Sequence, residues 1–412
     1  MKNQSWHQIR LGDAVKINNK SIDRSFHYDE IEYFDTSSVY KNFFNEPEVL
    51  KREDAPSRAR RLVQNGDVII STVRPNQEHV GLIQKPKENT VVSTGFAVIT
   101  PISIESKFLY YYLSQPSIVA YLSAIAETST STFPAIRPEI LEDLQVTIPA
   151  YIEEQKRIGE FLFLFDQKID LNLKTNQTLE EISQAIFKEW FIDFNYPGAT
   201  GEMVDSPLGP IPKGWRMGNI GEVADVIDCL HSKKPDRLEK KTNRLLLQLW
   251  NILDSGHIDT SDPYWISESD YTRWTSRIEA SEGIIVITNV GRTGVAARIP
   301  KNLQAALGRN MTAIRVKDFF PFNIFMILLL TSDFMKNEIA LRTDVGTILD
   351  SLNVRNIPLL RFVIPPNDVI FRFEQIVTPI WELIDQNMME NSGLSQIRDF
   401  LLSKLMTGDI EI

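Results

Sequence analysis

Residues 60–76 read RRLVQNGDVIISTVRPN, and residues 282–295 read EGIIVITNVGRTGV. In each, a glycine (Gly66, Gly283) opens a run of Val and Ile that leads into a turn carrying an arginine, Arg74 or Arg292. A short apolar run punctuated by Gly, Asn and Pro is the pattern of a buried strand, and on this reading the first strand runs out to Arg74. Meeting the pattern twice, about half a chain apart, makes internal repetition the first question.

The surroundings answer it. LGDAVKI at 11–17 is matched by IGEVADV at 220–226, each preceded by a tryptophan, Trp6 and Trp215. STGFAVITP at 93–101 aligns loosely with GRNMTAIRV at 308–316, and the helix-like FLYYYLSQPSIVAYL at 108–122 with FNIFMILLLTSDFMKNEI at 322–339. LQVTIPAYIEEQKRIG at 144–159 is answered by LRFVIPPNDVIFRFEQIV at 360–377, a strand ending in proline and then a helix. The order is the same and the offset nearly constant. The chain therefore divides into two similar mixed α/β domains, residues 1–150 and 214–366, each followed by a long helix, 151–194 and 367–412. Between them, residues 195–214 hold four prolines and four glycines, a composition no helix or central strand tolerates, so residues 195–213 are assigned as a linker.

The 412 residues exceed what one core usually organises. No apolar run reaches the roughly 18 residues of a membrane span, and the N-terminus lacks a signal peptide's apolar segment, so a cytoplasmic location is expected. Cys229 is the single cysteine, which excludes an internal disulfide and a multi-cysteine zinc site. The five histidines, at 7, 27, 79, 231 and 257, show no metal-ligand spacing.

A net charge of −10 argues against nucleic acid until its distribution is counted. Residues 152–194 hold nine acidic and five basic groups, and residues 367–412 eight and three, so these two stretches supply −9 of the total. The remainder is near neutral and its cations cluster. Arg58, Arg60 and Arg61 lie in the unpatterned segment 51–61. Lys233, Lys234, Arg237, Lys240, Lys241 and Arg244 crowd 231–244. With Arg74, Asn76, Arg292 and Arg273 of YWISESDYTRW (264–274) they are the candidate DNA-contacting groups, since arginine and lysine serve phosphate or guanine and asparagine serves adenine. The bland reading of each is a solvated loop, a salt bridge inside the domain or, for 264–274, a packed strand pair.

Both acidic stretches carry heptads. Ile158, Phe165, Asn172, Leu179 and Ile186 form one row and Leu162, Ile169, Asn176, Ser183 and Trp190 the other. The last segment repeats the scheme with Phe373, Ile380, Asn387, Leu394 and Leu401 beside Val377, Ile384, Asn391, Arg398 and Leu405. The pattern is a coiled-coil seam with a polar middle, and an antiparallel pairing would set Asn172 and Asn176 against Asn387 and Asn391. A helix over most of 152–194 would be about 60 Å long, and antiparallel pairing would give a pseudo-twofold molecule.

These features together resemble the DNA-specificity subunit of type I restriction-modification systems. The resemblance spans essentially the whole chain and is carried most specifically by IPAYIEEQKRIG at 148–159, LEEISQAIFKEWFIDF at 179–194, MVDSPLGPIPKGW at 203–215 and GDVIISTVRPN at 66–76. The second half departs from the pattern, keeping only Glu374-Gln375 of the acidic-acidic-glutamine signature and TNVGRTG in place of Arg-Pro-Asn. The resemblance implies two target-recognition domains separated by an antiparallel coiled coil, reading a bipartite, asymmetric sequence in double-stranded DNA. It implies no catalysis and no cofactor in this chain. Two modification subunits would methylate adenine with S-adenosylmethionine, and restriction subunits, when present, would use ATP and Mg. The residues agree: Pro365-Pro366 lacks the flanks of an adenine-methyltransferase motif, and no glycine-rich methyl-donor turn or GxxxxGK[ST] phosphate loop occurs. The alternatives are a scaffolding protein with two domains on a helical rod, and a single-chain methyltransferase that reads its own site.

Overall fold

The computed structural model describes residues 6–129, 133–346 and 349–412. The chain forms two compact units, Met1–Leu171 with Asn391–Ile412, and Asn172–Glu390.

In the first unit a four-stranded antiparallel sheet has the order Val15–Ile17, Phe96–Pro101, Val68–Ser71, Val80–Leu82. The Val68–Ser71 strand is wholly buried, which is why it reads as an unbroken apolar run rather than an alternation. Gly66 enters it at φ +89, where a side chain would be strained and would press on Ser106. The strand stops at Ser71, short of Arg74. Arg74 instead takes a left-handed conformation (φ 49, ψ 64) at the head of a 3-10 turn, Pro75–Gln77. Helices Ser106–Leu113 and Pro116–Glu127 pack below this sheet, with Phe108, Leu109 and Leu122 fully buried. A second sheet, Glu48–Lys51, Glu30–Phe34, Thr90–Ser93, Ala59–Leu62, stands beside the first. The segment 51–61 is therefore not one loop: Lys51 ends a strand, and Arg60 and Arg61 lie on another.

The second unit repeats the first sheet, in the order Ala224–Asp228, Met311–Val316, Ile285–Thr288, Ala296–Arg298, again antiparallel throughout. Gly283 (φ +82) stands where Gly66 stands. The outer strand pair recurs too: Trp6–Arg10 with Gln145–Pro149 in one unit, Arg216–Asn219 with Arg361–Ile364 in the other. What differs is the insertion. In place of a second four-stranded sheet, this unit has Leu245–Leu247 paired in parallel with Ala305–Leu307, and a helix, Glu268–Trp274. That helix overturns the strand-pair reading of 264–274. Ser267 caps it by accepting from the Asp270 N–H, and the turn it begins drives Tyr271 and Trp274 into a small apolar cluster with Leu246 and Ile266. Nor is the linker free of structure. Met203–Val204 pairs with Ile211–Pro212 in a hairpin, which leaves proline at a sheet edge, where its missing N–H costs nothing.

The long helices are Ile152–Phe191 and Asn367–Leu405. Within the first unit, Ile158 and Leu162 pack in one core with Leu402 and Leu405, and the Arg398 guanidinium meets Asp166, which also accepts from the Tyr111 hydroxyl at 2.7 Å. Within the second, Phe187, Trp190 and Phe191 ring Phe373, with centroids 4.8–6.0 Å apart. There the early residues of one helix face the late residues of the other, an antiparallel register. Asn172 and Asn176 are buried in this seam. Asn387 Nδ2 donates to Asn176 Oδ1 at 2.8 Å, and Asn172 Nδ2 to Glu390 at 2.7 Å. Asn391 is half-buried in the first unit.

Candidate nucleic-acid interface

The first domain presents its cations from two places. Arg58 is exposed but held, its guanidinium 2.6 Å from Asp35 and 3.2 Å from the Tyr33 hydroxyl. Asp35 itself caps the turn Thr36–Ser38. Burial works to raise its pKa, but the Ser37 N–H and Arg58 outweigh it and keep the carboxyl below its ordinary value. Arg60 is exposed and reaches only the Ser57 carbonyl at 3.3 Å. Its neighbour Arg61, one residue along the strand and so on the other face, is half-buried, and burial lowers its pKa. Arg74 and Asn76 are exposed. The Arg74 guanidinium lies 4.8 Å over the Phe133 ring and, among the described residues, meets no carboxylate, while its N–H donates to the Pro134 carbonyl at 2.8 Å. The left-handed backbone thus turns this side chain outward over an aromatic platform instead of into the sheet.

In the second domain the cluster 231–244 is interleaved with aromatic rings. Lys234 Nζ stands 4.1 Å from the Tyr264 ring and 5.2 Å from Trp250. Burial, with Arg237 nearby, lowers its pKa. Arg237 pairs with Asp262, and Lys241 lies 6.0 Å from Trp265. Arg244 makes a two-pronged contact with Glu268, at 2.6 and 3.0 Å, over the Tyr271 ring. Arg273 is exposed and donates to the Ser232 hydroxyl, while Lys233 and Lys240 are exposed, with no ion pair among the described residues. Arg292 differs from its counterpart Arg74. It donates to the carbonyls of Leu249 (3.1 Å) and Ile252 (2.8 Å) and pairs with Asp254 (3.0 Å), so its guanidinium is engaged inside the domain. The candidates fall in two groups, one per domain: Arg58, Arg60, Arg61, Arg74 and Asn76, and the 231–244 cluster with Arg273.

Two features, Trp250 and the surroundings of His257, escaped the sequence reading. Trp250 is 46% exposed, the only exposed tryptophan among the described residues, and no pattern in LLLQLWNIL separates it from a core residue. His257 is 2% exposed. It stacks on Trp381 at 4.5 Å and has Glu180 3.5 Å from Nε2 and Asp385 3.8 Å from Nδ1, Asp385 being paired in turn with Arg298 at 2.5 Å. These groups lie far apart in sequence and tie the second domain to both helices of its own unit. Asp228, Cys229 and His231 gather their ligand atoms within 4.8 Å of one another. The Asp228 carboxylate already meets His231 Nε2 at 2.8 Å and lies 3.6 Å from the Arg277 guanidinium, so it has partners within the domain.

Residues 3–181 match the family model of the type I restriction modification DNA specificity domain. The chain is 24% identical to the type I restriction enzyme HindI specificity subunit of Haemophilus influenzae, over 98% of this chain and 99% of that one. It is 27% identical to the MjaIX specificity subunit of Methanocaldococcus jannaschii, over 85% and 79% of the two chains. The crystal structure of the type I restriction-modification S subunit from M. genitalium shares the fold, with a TM-score of 0.57 at 15% identity over 98% of this chain and 97% of that one. No described helix is long and apolar enough to cross a membrane.

Proposed function

From a chain that carries a type I restriction modification DNA specificity domain and resembles specificity subunits along nearly all its length, we propose a DNA-reading subunit for a type I restriction-modification system. It recognises two short, unlike sequences in double-stranded DNA, one per domain, and leaves catalysis to others: modification subunits that methylate adenine with S-adenosylmethionine, and restriction subunits that use ATP and Mg.

One observation carries this reading. The two domains share a sheet order and an outer strand pair, yet the cations are borne by segments that differ, the strand and turns of 52–62 in one and the aromatic-laced loop 231–244 in the other. A common scaffold with unlike polar surfaces is what two unlike half-sites require, because each base pair presents its own pattern of donors and acceptors. Arg74, Arg60, Lys233 and Lys240 lie exposed, and exposed cations serve phosphate contacts, which hold the register without reading sequence. The acidic stretches lie on the long helices, suiting them to protein partners, and the exposed Leu173, Ile182, Phe371 and Met389 on their outer faces are apolar surface of the kind a subunit covers.

Methylome sequencing tests this. Cells that express the chain with its modification subunit should gain adenine methylation at one motif of two specified blocks around an unspecified gap of constant length. A continuous or palindromic motif, or methylation by the chain alone with S-adenosylmethionine, would overturn it.

A further inference from the structure

We propose that Trp250 is a base-contacting, specificity-determining residue of the second domain, and that Arg292 is the positioning residue that presents it. This rests on the DNA-reading function proposed above.

An indole left 46% exposed forgoes a large apolar burial, and the other tryptophans of the described residues are buried or half-buried. The turn that carries it is nevertheless tightly determined. Gln248 N–H donates to Asn251 Oδ1 at 2.8 Å and Asn251 N–H returns to the Gln248 carbonyl at 3.0 Å. Asn251, itself 1% exposed, donates from Nδ2 to the Asp259 carbonyl at 2.8 Å. Arg292 then grips the turn from outside its own strand, binding the carbonyls of Leu249 and Ile252 on either side of the indole, while Asp254 holds the guanidinium in place. The left-handed glycines Gly291 (φ +87) and Gly294 (φ +81) shape the loop from which Arg292 reaches. A side chain that were merely tolerated on the surface would not need such a pedestal; a contact residue does, since binding groups work when held in place beforehand.

The surroundings name the ligand. Lys234 Nζ lies within 5.2 Å of the Trp250 ring and 4.1 Å of the Tyr264 ring, and Arg237 stands 5.9 Å from Tyr264. Rings interleaved with cations suit a duplex polyanion: the cations take phosphate, and the indole packs against a base edge in the groove, where a thymine methyl offers apolar surface. Arg74 and Arg292, equivalent in the repeat, thus act differently, Arg74 outward in person and Arg292 through the tryptophan it holds.

The test uses the full chain assembled with its modification subunit. Wild type and Trp250→Ala are compared by methylome sequencing, by affinity for the resulting motif duplex and by melting temperature. Because Trp250 is 46% exposed, its truncation should lower the melting temperature only slightly and leave the complex folded. It should weaken binding by about tenfold, the order expected for one lost base-edge contact, and relax selectivity in one block only, with Trp250→Phe intermediate. Arg292→Lys should relax the same block, and adding it to Trp250→Ala should bring no further loss of selectivity, which a purely structural arginine would not do. Unchanged affinity and motif in Trp250→Ala, or equal relaxation of both blocks, overturns the proposal while leaving the DNA-reading function standing. A wild-type complex with no two-block motif overturns both.

Discussion

Glu180 and His257 face each other in the second unit with opposite reluctance to ionise. Burial, with Arg298 adding, pushes His257 down to about 3 from 6.5, and burial, then Glu181, pushes Glu180 up to about 7 from 4.5. Asp385, with its pKa raised by burial against the pull of Arg298, completes the set. The consequences for stability run in opposite directions. Glu180 holds its proton more tightly folded than unfolded, so its contribution is complete below its unfolded value of 4.5 and is lost as pH rises through about 7. His257 holds its proton less tightly folded, so its contribution is complete above 6.5 and is lost as pH falls toward about 3. Between those limits the two offset each other. Glu180→Gln removes one arm. Thermal melts should find the variant more stable than wild type near about pH 8, where a buried anion has been removed, and more acid-sensitive between about pH 6.5 and 5, by up to about 1 kcal/mol per pH unit. A variant that melts below wild type at the higher pH would show that the Glu180 anion stabilises the fold.

At the level of elements, the helix seam trades stability for register. Apolar contacts such as Trp190 on Phe373 are non-directional, whereas the Asn176–Asn387 hydrogen bond at 2.8 Å is satisfied in only one alignment. Replacing Asn176 alone by leucine strands the Asn387 amide in a half-buried site and should cost about 1–3 kcal/mol. Asn176→Leu with Asn387→Leu removes both polar groups and should melt above wild type, while light scattering shows associated species that wild type lacks. A double variant that melts lower and stays homogeneous would assign the pair a stabilising role instead. Pro379, inside the second long helix, removes one intrahelical donor.

For the molecule as a whole, the repeat predicts exchangeable parts. Each domain carries its own sheet, its own outer strand pair and its own helix start, so the segments proposed to read DNA are built on frames with the same connections. Exchanging residues 214–366 for the matching domain of a relative should change one block of the methylated motif and leave the other block intact, as read by methylome sequencing. A change in both blocks would mean that the domains do not read independently.

The repeat was legible because it rests on local physics: glycines that must adopt positive φ before a strand, apolar runs the length of a strand, prolines that stop it, and heptads that need a partner helix. Gly66 and Gly283, the two sheets and both long helices follow from those rules. The cation clusters were legible as composition, without their geometry. Only the tertiary structure decided that Arg74 turns outward while Arg292 bonds inward, because the choice depends on Phe133, 59 residues after Arg74, and on carbonyls 40 and 43 residues before Arg292. It alone turned 268–274 into a helix, where a serine cap prevailed over the strand propensity of Tyr and Trp. It alone brought His257, Glu180, Arg298 and Asp385 together, since contacts between residues far apart in sequence leave no period to read. The rules of neighbouring residues thus set the frame, and the placement of each candidate side chain waited for surfaces that the frame brings together.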